Sequence, residues 1–593
     1  MRTHINLYMV VFITTVISTG LTAQDSIEEI TVTSSYVTHS DDQANDPIHI
    51  LTEEELETNS TQSLGETIDS LLGVSSADYG AAVGQPIIRG MSGTRVKVLN
   101  NGLVVRDMSG IGIDHVNEVD LNAVRQIEVI RGPSSLMYSN GAIGGIVNVV
   151  DDTIAREDFA DRDLRIGLEA QNANDGKIGE FSYKENLGGL NLSYAFKDSS
   201  LENYDIPKGA VIHSEEHEEG HEEDHDEDHD EDHDEDMGFL ENSDFESQSH
   251  RLGLSTTGDW GYFGASYLNT ESVYGIPYHG EGHEGHGDED HDDHDDDHDG
   301  EEDHDGDHDE HEGERIFSTT DSDVFNIEGS YVFDNDSLNS MRYYYRNSDY
   351  SLTEQHAEEE GHEGEDHDED HDGHGHEEGP TVFSNESDEF GLILDFGDES
   401  LSQKLVLQSM NEDVSIIGAE AFMNPVDSTE KMIGYYVGTS LMNLDLHLGI
   451  RHDRVNRKGT VAHHEEEEHH DEDDHDEEDH DDEHHDEHEM EAYDIDRNET
   501  SVALSIDREL NDNMMMSLGL ASVKRGPSSV ELFMNGAHLA TGRFEVGDVT
   551  LESETSNNID LTFDYKNNGF FATATIFRND VDDYIYLRDE IEE

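Results

Sequence analysis

The stretch Leu444–Ile450, with the sequence LDLHLGI, places an apolar side chain at every second position. Successive side chains of a β-strand point to opposite faces, so this alternation predicts a strand with one apolar and one polar face. Fifteen such segments follow Asp163, beginning with Leu164–Gln171 and ending with Phe570–Phe577. Short turns separate many of them, and no helical pattern does. The sequence therefore predicts an all-β antiparallel β-barrel.

Four segments that interrupt these strands share an unusual composition. They hold 30 of the 38 His and many of the 143 Asp and Glu, but no Lys or Arg. They are residues 213–236, 279–314, 356–378 and 463–491. The formal net charge of the chain is -111, which leaves no basic face for a nucleic acid, and the chain has no Cys for disulfides or thiolate metal sites.

The number of strands between these insertions predicts where they lie. We count three strands before the first insertion, then two, two and four before each of the next three. Each antiparallel strand reverses the chain direction, so even counts place all four insertions on the same rim of the barrel. We expect short turns on the other rim and, as in outer-membrane barrels, external long loops.

The insertions pair imidazoles with carboxylates, as in HDEDHDEDH at residues 225–233. Imidazole favours zinc, copper or nickel over calcium and magnesium, and the acids concentrate any divalent cation. A purely acidic solvated loop is the alternative, but it would not require His. We expect low-affinity capture of a transition metal by residues that include His225, His229, His233, His291, His294, His298, His367, His371, His469 and His470.

The N-terminus suggests export. Arg2, the apolar run Leu7–Ile17 and a loose cleavage site at Ala23 predict a signal peptide over residues 1–23, with a buried first helix as the alternative. No later run approaches twenty apolar residues, so an exported chain of this kind is secreted, periplasmic or an outer-membrane barrel. We expect a linker at 24–45, a compact α+β domain at 46–155 and the barrel at 156–593.

Three motifs in order, PIIRG at 86–90, IEVIRGPSSLMY at 127–138 and GAIGGIVNV at 141–149, resemble the plug domain of TonB-dependent outer-membrane receptors. The resemblance implies a plug inside a 22-stranded barrel in the outer membrane of a Gram-negative bacterium, in contact with outer-membrane lipid. The segment EEITVT at 28–33 is similar to the TonB box, which would add as a strand to the periplasmic TonB complex. Its residues would be Glu29, Ile30, Thr31, Val32 and Thr33.

A narrower resemblance is to the zinc-uptake receptors of that family. It rests on Asp107-Met108 and Asp114-His115, where the family places metal ligands, and on residues 274–279, 418–422 and 527–541. It implies a metal site formed by Asp114, His115, Glu420 and His538, with His279 as a looser candidate. Two imidazoles and two carboxylates suit a four-coordinate zinc ion. The strand count also places Glu420 and His538 on the rim of the insertions.

These observations favour active import of a divalent transition metal, with zinc as the transported ligand. They indicate neither an enzyme nor a catalytic cofactor. Two alternatives remain: a receptor for a siderophore, haem or cobalamin, and a surface protein that sequesters metal without transport. The family barrel continues for several strands beyond the fifteen counted here, so we also expect the chain to be a C-terminally truncated fragment, or a nonfunctional product.

Overall fold

The structure is a computed structural model that describes residues 48–59, 62–131, 135–136, 139–208, 210, 238–277, 316–334, 337–356, 379–398, 400–418, 421–463, 489–538, 543–567 and 570–589. The predicted signal peptide and linker lie outside these residues. Within them, no helix is long and apolar enough to cross a membrane.

The N-terminal domain is a small α+β unit, as the sequence predicts. Its elements are β1 (Ile48–Thr52), α1 (Glu53–Asn59), α2 (Leu64–Ile68), β2 (Val74–Tyr79), β3 (Val83–Ile88), a 3₁₀ turn (Gly93–Arg95), β4 (Val96–Asn100), β5 (Leu103–Val104), β6 (Val124–Ile130) and β7 (Gly145–Asp151). Five strands form a sheet in the order β1-β6-β7-β4-β5, and β2 pairs with β3 as a separate hairpin. Ser63 caps α2 by accepting a hydrogen bond from the backbone N–H of Glu66.

Two adjacent interior strands of this sheet, β6 and β7, are buried almost completely. Every residue of Gly145–Asp151 is buried, and Ile127, Val129, Val147 and Val149 have no exposed surface. A strand covered on both faces has a mostly apolar sequence rather than an alternating one, as in IEVI and GIVNVV. The one polar residue of each segment is buried, and Asn148 donates a hydrogen bond to Glu128 at 2.9 Å. The domain therefore has its own core, and it can hold a functional loop rigidly.

Most of the described residues from Asp163 onward form one 15-stranded antiparallel sheet, in the order β26-β25-β22-β21-β20-β19-β18-β17-β16-β15-β14-β13-β10-β9-β8. Its strands are β8 (Asp163–Ala170), β9 (Lys177–Asn186), β10 (Asn191–Leu201), β13 (Phe245–Gly258), β14 (Gly261–Gly275), β15 (Ile316–Val332), β16 (Ser340–His356), β17 (Thr381–Asp398), β18 (Leu401–Ile417), β19 (Val426–Leu441), β20 (Leu444–His463), β21 (Glu489–Asn511), β22 (Met514–Arg525), β25 (Glu554–Asn567) and β26 (Phe570–Asp582). Short pairs β11 (Tyr204–Asp205) with β12 (Phe239–Leu240) and β23 (Asn535–His538) with β24 (Arg543–Val546), and helix α3 (Ser529–Phe533), lie in connections.

The strand order shows on which side of the sheet the described strands next to the insertions end, while the position of the insertions themselves stays a prediction. The four insertions follow strands β10, β14, β16 and β20 in the sequence. The C-terminal ends of these four strands lie on the same side of the antiparallel sheet. We call this side the insertion rim and the opposite side the turn rim. The connections β18–β19 and β22–β25 also lie on the insertion rim.

The outward face of the sheet changes character along the strands. Near the turn rim its exposed side chains are apolar, as at Phe390, Ile433 and Ile450. Nearer the insertion rim, five outward carboxylates oppose one another on adjacent strands: Asp323, Asp349, Glu386, Asp413 and Asp427. A membrane crossing needs about 9–11 residues of strand. Strands of up to 23 residues therefore extend well beyond the apolar band, toward the insertion rim.

The sheet wraps around the N-terminal domain and contacts it through buried ion pairs. Arg251 of β13 binds Asp120 at 2.6 Å and Asp151 at 2.9 Å, and all three side chains are at most 5% exposed. Near the other edge of the sheet, two arginines of the N-terminal domain contact strand β25: Arg89 pairs with Asp560 at 2.7 Å and Arg95 with Glu554 at 2.6 Å. The domain is thus a plug held inside the barrel wall.

The structure corrects the predicted boundaries of two insertions. Strand β16 ends at His356, β20 ends at His463, and β21 begins at Glu489, so these residues belong to the sheet. His463 pairs with Glu489 and His356 pairs with Ile316. The hydrogen bonds between neighbouring strands use backbone groups alone. A strand can therefore extend into residues whose apolar and polar side chains do not alternate.

Candidate metal site

The loop between β5 and β6 approaches the insertion rim and is closed by one carboxylate. Asp107 accepts hydrogen bonds from the backbone N–H groups of Ser109, at 3.1 Å, and Glu118, at 2.9 Å. It also accepts one from the Ser109 hydroxyl at 2.6 Å. The neighbouring Met108 is 2% exposed and packs in an apolar cluster. The Asp107-Met108 pair of the resemblance therefore shapes and anchors the loop in this structure.

A second anchor, Gln85 of β3, holds the loop from below. Its side-chain nitrogen Nε2 lies 3.0 Å from the carbonyl of Ser109, 2.8 Å from that of Gly112 and 2.9 Å from that of His115. Gln85 is itself 5% exposed, so these bonds are shielded from water. One buried amide thus fixes three backbone positions of the loop.

Asp114 and His115, at the apex of this loop, are each 1% exposed. Both carboxylate oxygens of Asp114 and both ring nitrogens of His115 are buried and make no hydrogen bond to any residue that the structure describes. Buried polar atoms in proteins nearly always have a partner, so four such atoms on adjacent residues require an explanation. A bound cation would supply one.

His538 joins the two plug residues from the barrel side. It ends β23 in the connection between β22 and β25, on the insertion rim, and is 4% exposed. Its ring stacks on Phe422 at a centroid distance of 4.7 Å and lies nearly parallel to the His115 ring at 6.1 Å. Two separate parts of the chain, the plug loop and a barrel hairpin, therefore contribute imidazoles to one cluster.

The distances within the cluster suit a metal ion. The Nε2 atoms of His115 and His538 lie 3.5 and 3.6 Å from the Oδ2 atom of Asp114, which is too long for good hydrogen bonds. In four-coordinate zinc with bonds of about 2.0–2.1 Å, neighbouring ligand atoms are about 3.3–3.4 Å apart. One ligand atom from each of the three residues can be chosen so that all lie within 4.8 Å of one another. The three side chains can therefore converge on one ion.

The electrostatics of the cluster favour a cation. Burial opposes ionisation of Asp114, but the neighbouring imidazoles of His115 and His538 lower the pKa of this carboxyl to about 2. Burial lowers the pKa of His115, which favours the neutral form of the ring that can bind a metal. Burial also opposes the charge on His538, but Asp114 and Glu545 raise the pKa of this ring to about 10. A metal ion would therefore replace a proton on His538.

Gly112 leaves the space in which these groups meet. A Cβ atom at this position would lie 2.2 Å from the Oδ1 atom of Asp114 and 2.9 Å from the Cε1 atom of His538. No side chain fits there without moving both residues. Three residues that support the site were not predicted from the sequence: Gly112, Gln85 and Glu545. The close approach at Gly112 and the bonds from the Gln85 amide to backbone carbonyls leave no local sequence pattern.

The other predicted site residues lie outside the described residues. These are Glu420, His279, the TonB-box residues Glu29, Ile30, Thr31, Val32 and Thr33, and the capture histidines His225, His229, His233, His291, His294, His298, His367, His371, His469 and His470. Phe422, two positions after Glu420, touches His538. Glu420 remains a prediction.

A cavity lies beside the loop, between the plug and strands β17–β20. Its lining includes Asp107, Gly110 and Ile111 of the loop, Lys97 of β4, and Glu412 and Glu430 of the barrel wall. Its volume is about 180 Å³. The cavity adjoins the same loop that carries Asp114 and His115.

Two protein families match the chain. Residues 40–146 match the TonB-dependent Receptor Plug Domain, and residues 238–591 match the TonB dependent receptor-like β-barrel. A curated relative, the Vitamin B12 transporter BtuB of Photobacterium profundum, is 30% identical over 106 residues. That match covers 18% of this chain and 17% of the transporter, or about a sixth of each.

Solved structures share the fold at low sequence identity. The hemophore receptor HasR of Serratia marcescens, in complex with its hemophore HasA and heme, has a TM-score of 0.65 at 11% identity, covering 91% of this chain and 73% of HasR. The copper transporter OprC has a TM-score of 0.60 at 12% identity, with coverages of 90% and 72%. The FrpB iron transporter from Neisseria meningitidis has a TM-score of 0.59 at 10% identity, covering 90% of this chain and 73% of FrpB.

The barrel match alone spans more than half of the chain, and the plug match precedes it in the order that the structure shows. The family is one of outer-membrane transport receptors rather than enzymes. The chain belongs to the TonB-dependent receptors of the Gram-negative outer membrane.

Proposed function

We propose that this receptor imports a divalent transition metal, with zinc as the cargo, and that Asp114, His115 and His538 bind it. The observation that carries the proposal is the separation of 3.5–3.6 Å between the Asp114 carboxylate and two imidazoles, close to the edge of a tetrahedral zinc site. Nitrogen and oxygen donors together favour zinc over calcium and magnesium, which prefer oxygen alone.

The fourth position of the ion would be filled by Glu420 or by water. Glu420 belongs to the connection that brings Phe422 against His538, which supports its assignment. His279 follows Ile276, which packs in the same apolar cluster as Phe422, so it is a further candidate. Because the plug and the barrel each supply ligands, any movement of the plug relative to the wall would break the site and release the ion.

The His- and acid-rich insertions would act as collectors. The strand ends that flank them lie on the same rim as the hairpin of His538. We propose that this rim faces the medium, that the insertions bind metal loosely, and that the buried cluster binds it tightly. Imidazole ligands must be deprotonated, so capture should weaken as the pH falls through about 6.5.

Energy for release would come from the TonB complex in the periplasm. The segment Glu28–Thr33 would pair with TonB as an added β-strand, and force on the N-terminus would displace the plug. The neighbours named for heme, copper and iron share the barrel and plug, so the fold does not select the cargo. We propose that the cargo is selected by the donor atoms of the cluster, one carboxylate and two imidazoles.

The test combines binding and uptake in one strain background. Cells that express the unaltered chain, a variant without Glu28–Thr33, or the double variant Asp114→Ala/His115→Ala receive radioactive zinc at low concentration, with nickel, copper and cobalt as competitors. We expect the deletion to keep binding and lose uptake, and the double variant to lose the tight binding and the uptake while the insertions still bind metal loosely. Zinc that stays bound at the cell surface, with no uptake in either the unaltered chain or the deletion, would indicate sequestration without transport, and uptake of a metal chelate alone would favour an organic ligand.

A further inference from the structure

The two ring nitrogens of His538 face two different carboxylates. Nε2 lies 3.6 Å from Oδ2 of Asp114, and Nδ1 lies 3.7 Å from Oε1 of Glu545. Glu545 is 7% exposed, and His538 is 4% exposed. The ring is therefore held between an acid of the plug and an acid of the barrel hairpin, both shielded from water.

The hairpin geometry explains how Glu545 reaches the ring. In the β23–β24 pairing, His538 opposes Arg543 and Gly536 opposes Glu545, so Glu545 is the diagonal neighbour of His538 on one face. Gly536 carries no side chain between them. A Cβ atom there would lie 2.8 Å from Cα of Phe422, the residue whose ring stacks on His538.

Glu545 stands on the wrong side of the ring to share the ion. The two nitrogens of an imidazole point away from each other, and the atoms that converge with Asp114 and His115 lie on the Nε2 side. Metal-bound histidines commonly donate their second ring N–H to a carboxylate, which fixes the tautomer and the ring orientation. A closer approach of about 0.5 Å would make the Glu545 contact such a hydrogen bond.

We propose that Glu545 is a positioning residue of the metal site, an inference that rests on the proposed function. Its carboxylate accepts the N–H of His538 Nδ1, which leaves the Nε2 lone pair directed at the ion between Asp114 and His115. Without it, the His538 ring can rotate about its side-chain bonds or take the other tautomer, and the barrel loses its hold on the ion while both plug ligands remain.

The test uses the full chain in detergent, with free cobalt(II) kept low by a competing chelator so that loose sites stay empty. The variants are Glu545→Ala, Glu545→Gln and, as the control, Glu552→Ala, which removes an exposed acid from the same connection. We expect Glu545→Ala to bind about 10–100-fold more weakly, Glu545→Gln to recover part of the loss, and Glu552→Ala to bind normally.

Spectroscopy separates positioning from general damage. X-ray absorption of the cobalt-loaded Glu545→Ala protein should show fewer imidazole ligands than the unaltered protein, while the metal-free forms unfold at the same temperature. Equal affinity and equal imidazole count in Glu545→Ala and Glu552→Ala would overturn this inference and leave the metal site standing. If the unaltered chain binds no cobalt that Asp114→Ala/His115→Ala removes, the proposed function fails as well.

Discussion

Gly112 determines whether the ligands of the plug and the barrel can meet. A methyl group at this position would overlap the Asp114 carboxylate and press on His538. We predict that Gly112→Ala weakens zinc binding by about 10–100-fold, comparable to the loss of a supporting contact in other metal sites. Gly110→Ala in the same loop would meet only a methyl of Thr94, at 3.3 Å, and should bind normally. Equal affinities of the two variants in a chelator competition would show that the ion does not bind here.

The proton on His538 predicts how zinc binding depends on pH. Asp114 and Glu545 raise the pKa of this ring to about 10, so the ring is charged at neutral pH and the ion must displace one proton. The charged ring stabilises the metal-free fold below pH 6.5, and this stabilisation is lost as the pH rises through about 10.

Zinc affinity at the tight site should accordingly rise about tenfold per pH unit between pH 7 and 9, and level off near pH 10. Calorimetry in buffers of different ionisation enthalpy, at pH 7.5 and with the first equivalent of zinc, should give about one proton released. Release of no proton would mean that His538 is neutral or does not bind the ion.

The ligand loop, residues 107–118, depends on Gln85 for its attachment to strand β3. Its amide joins the carbonyls of Ser109, Gly112 and His115 to β3, so its loss frees the loop on the side of the cavity. We predict that Gln85→Leu increases amide hydrogen exchange in this loop and weakens zinc binding, because each lost bond leaves a buried carbonyl unpaired. Gln248→Leu, at an exposed position of β13, should change neither. A protected loop in Gln85→Leu would contradict this role.

The strands could be predicted from sequence wherever one face meets an apolar environment. All fifteen alternating segments are strands of the large sheet, in the predicted order. Their lengths were underestimated, however: the segment predicted at Glu389–Phe396 lies in β17, which spans Thr381–Asp398. Most of the unpredicted part of this strand, residues 381–388, lies toward the insertion rim and carries mostly polar side chains on both faces, so its sequence shows no clear alternation.

The site could be predicted only in part, for a physical reason. Asp114 and His115 are adjacent in sequence, but His538 reaches them only because the sheet curves around the plug, and residue spacing carries no trace of that contact. The resemblance supplied the pairing, and the geometry supports it. Glu545 is the diagonal neighbour of His538 in the β23–β24 hairpin. Both strands are short and many acids lie nearby in the sequence, so the sequence does not show which acid contacts His538.

At the scale of the whole molecule, a buried ion-pair cluster fixes the plug in the wall. Arg251 of the barrel holds Asp120 and Asp151 of the plug. Burial opposes the charge on Asp151, but Arg251 lowers the pKa of this carboxyl to about 2. Its contribution to stability is therefore complete above the ordinary Asp pKa of 3.8 and is lost as the pH falls toward 2.

We predict that Arg251→Ala destabilises the docked plug by about 3–5 kcal/mol, because it leaves two buried carboxylates without their cation. Limited proteolysis should then cleave the plug while the barrel resists. Arg454→Ala, which breaks an exposed pair with Asp496, should leave the cleavage pattern unchanged. Identical patterns for Arg251→Ala and the unaltered chain would mean that this cluster does not hold the plug.

We expect one buried ion to bind where the plug meets the barrel wall. The most direct measurement is zinc affinity of the full chain in detergent, with free zinc set by a chelator, for the unaltered protein, Asp114→Ala/His115→Ala and the control His452→Ala, an exposed histidine of β20. We predict one tight zinc per chain, lost in the double variant and kept in the control. A double variant that still binds one zinc with unchanged affinity would contradict the claim.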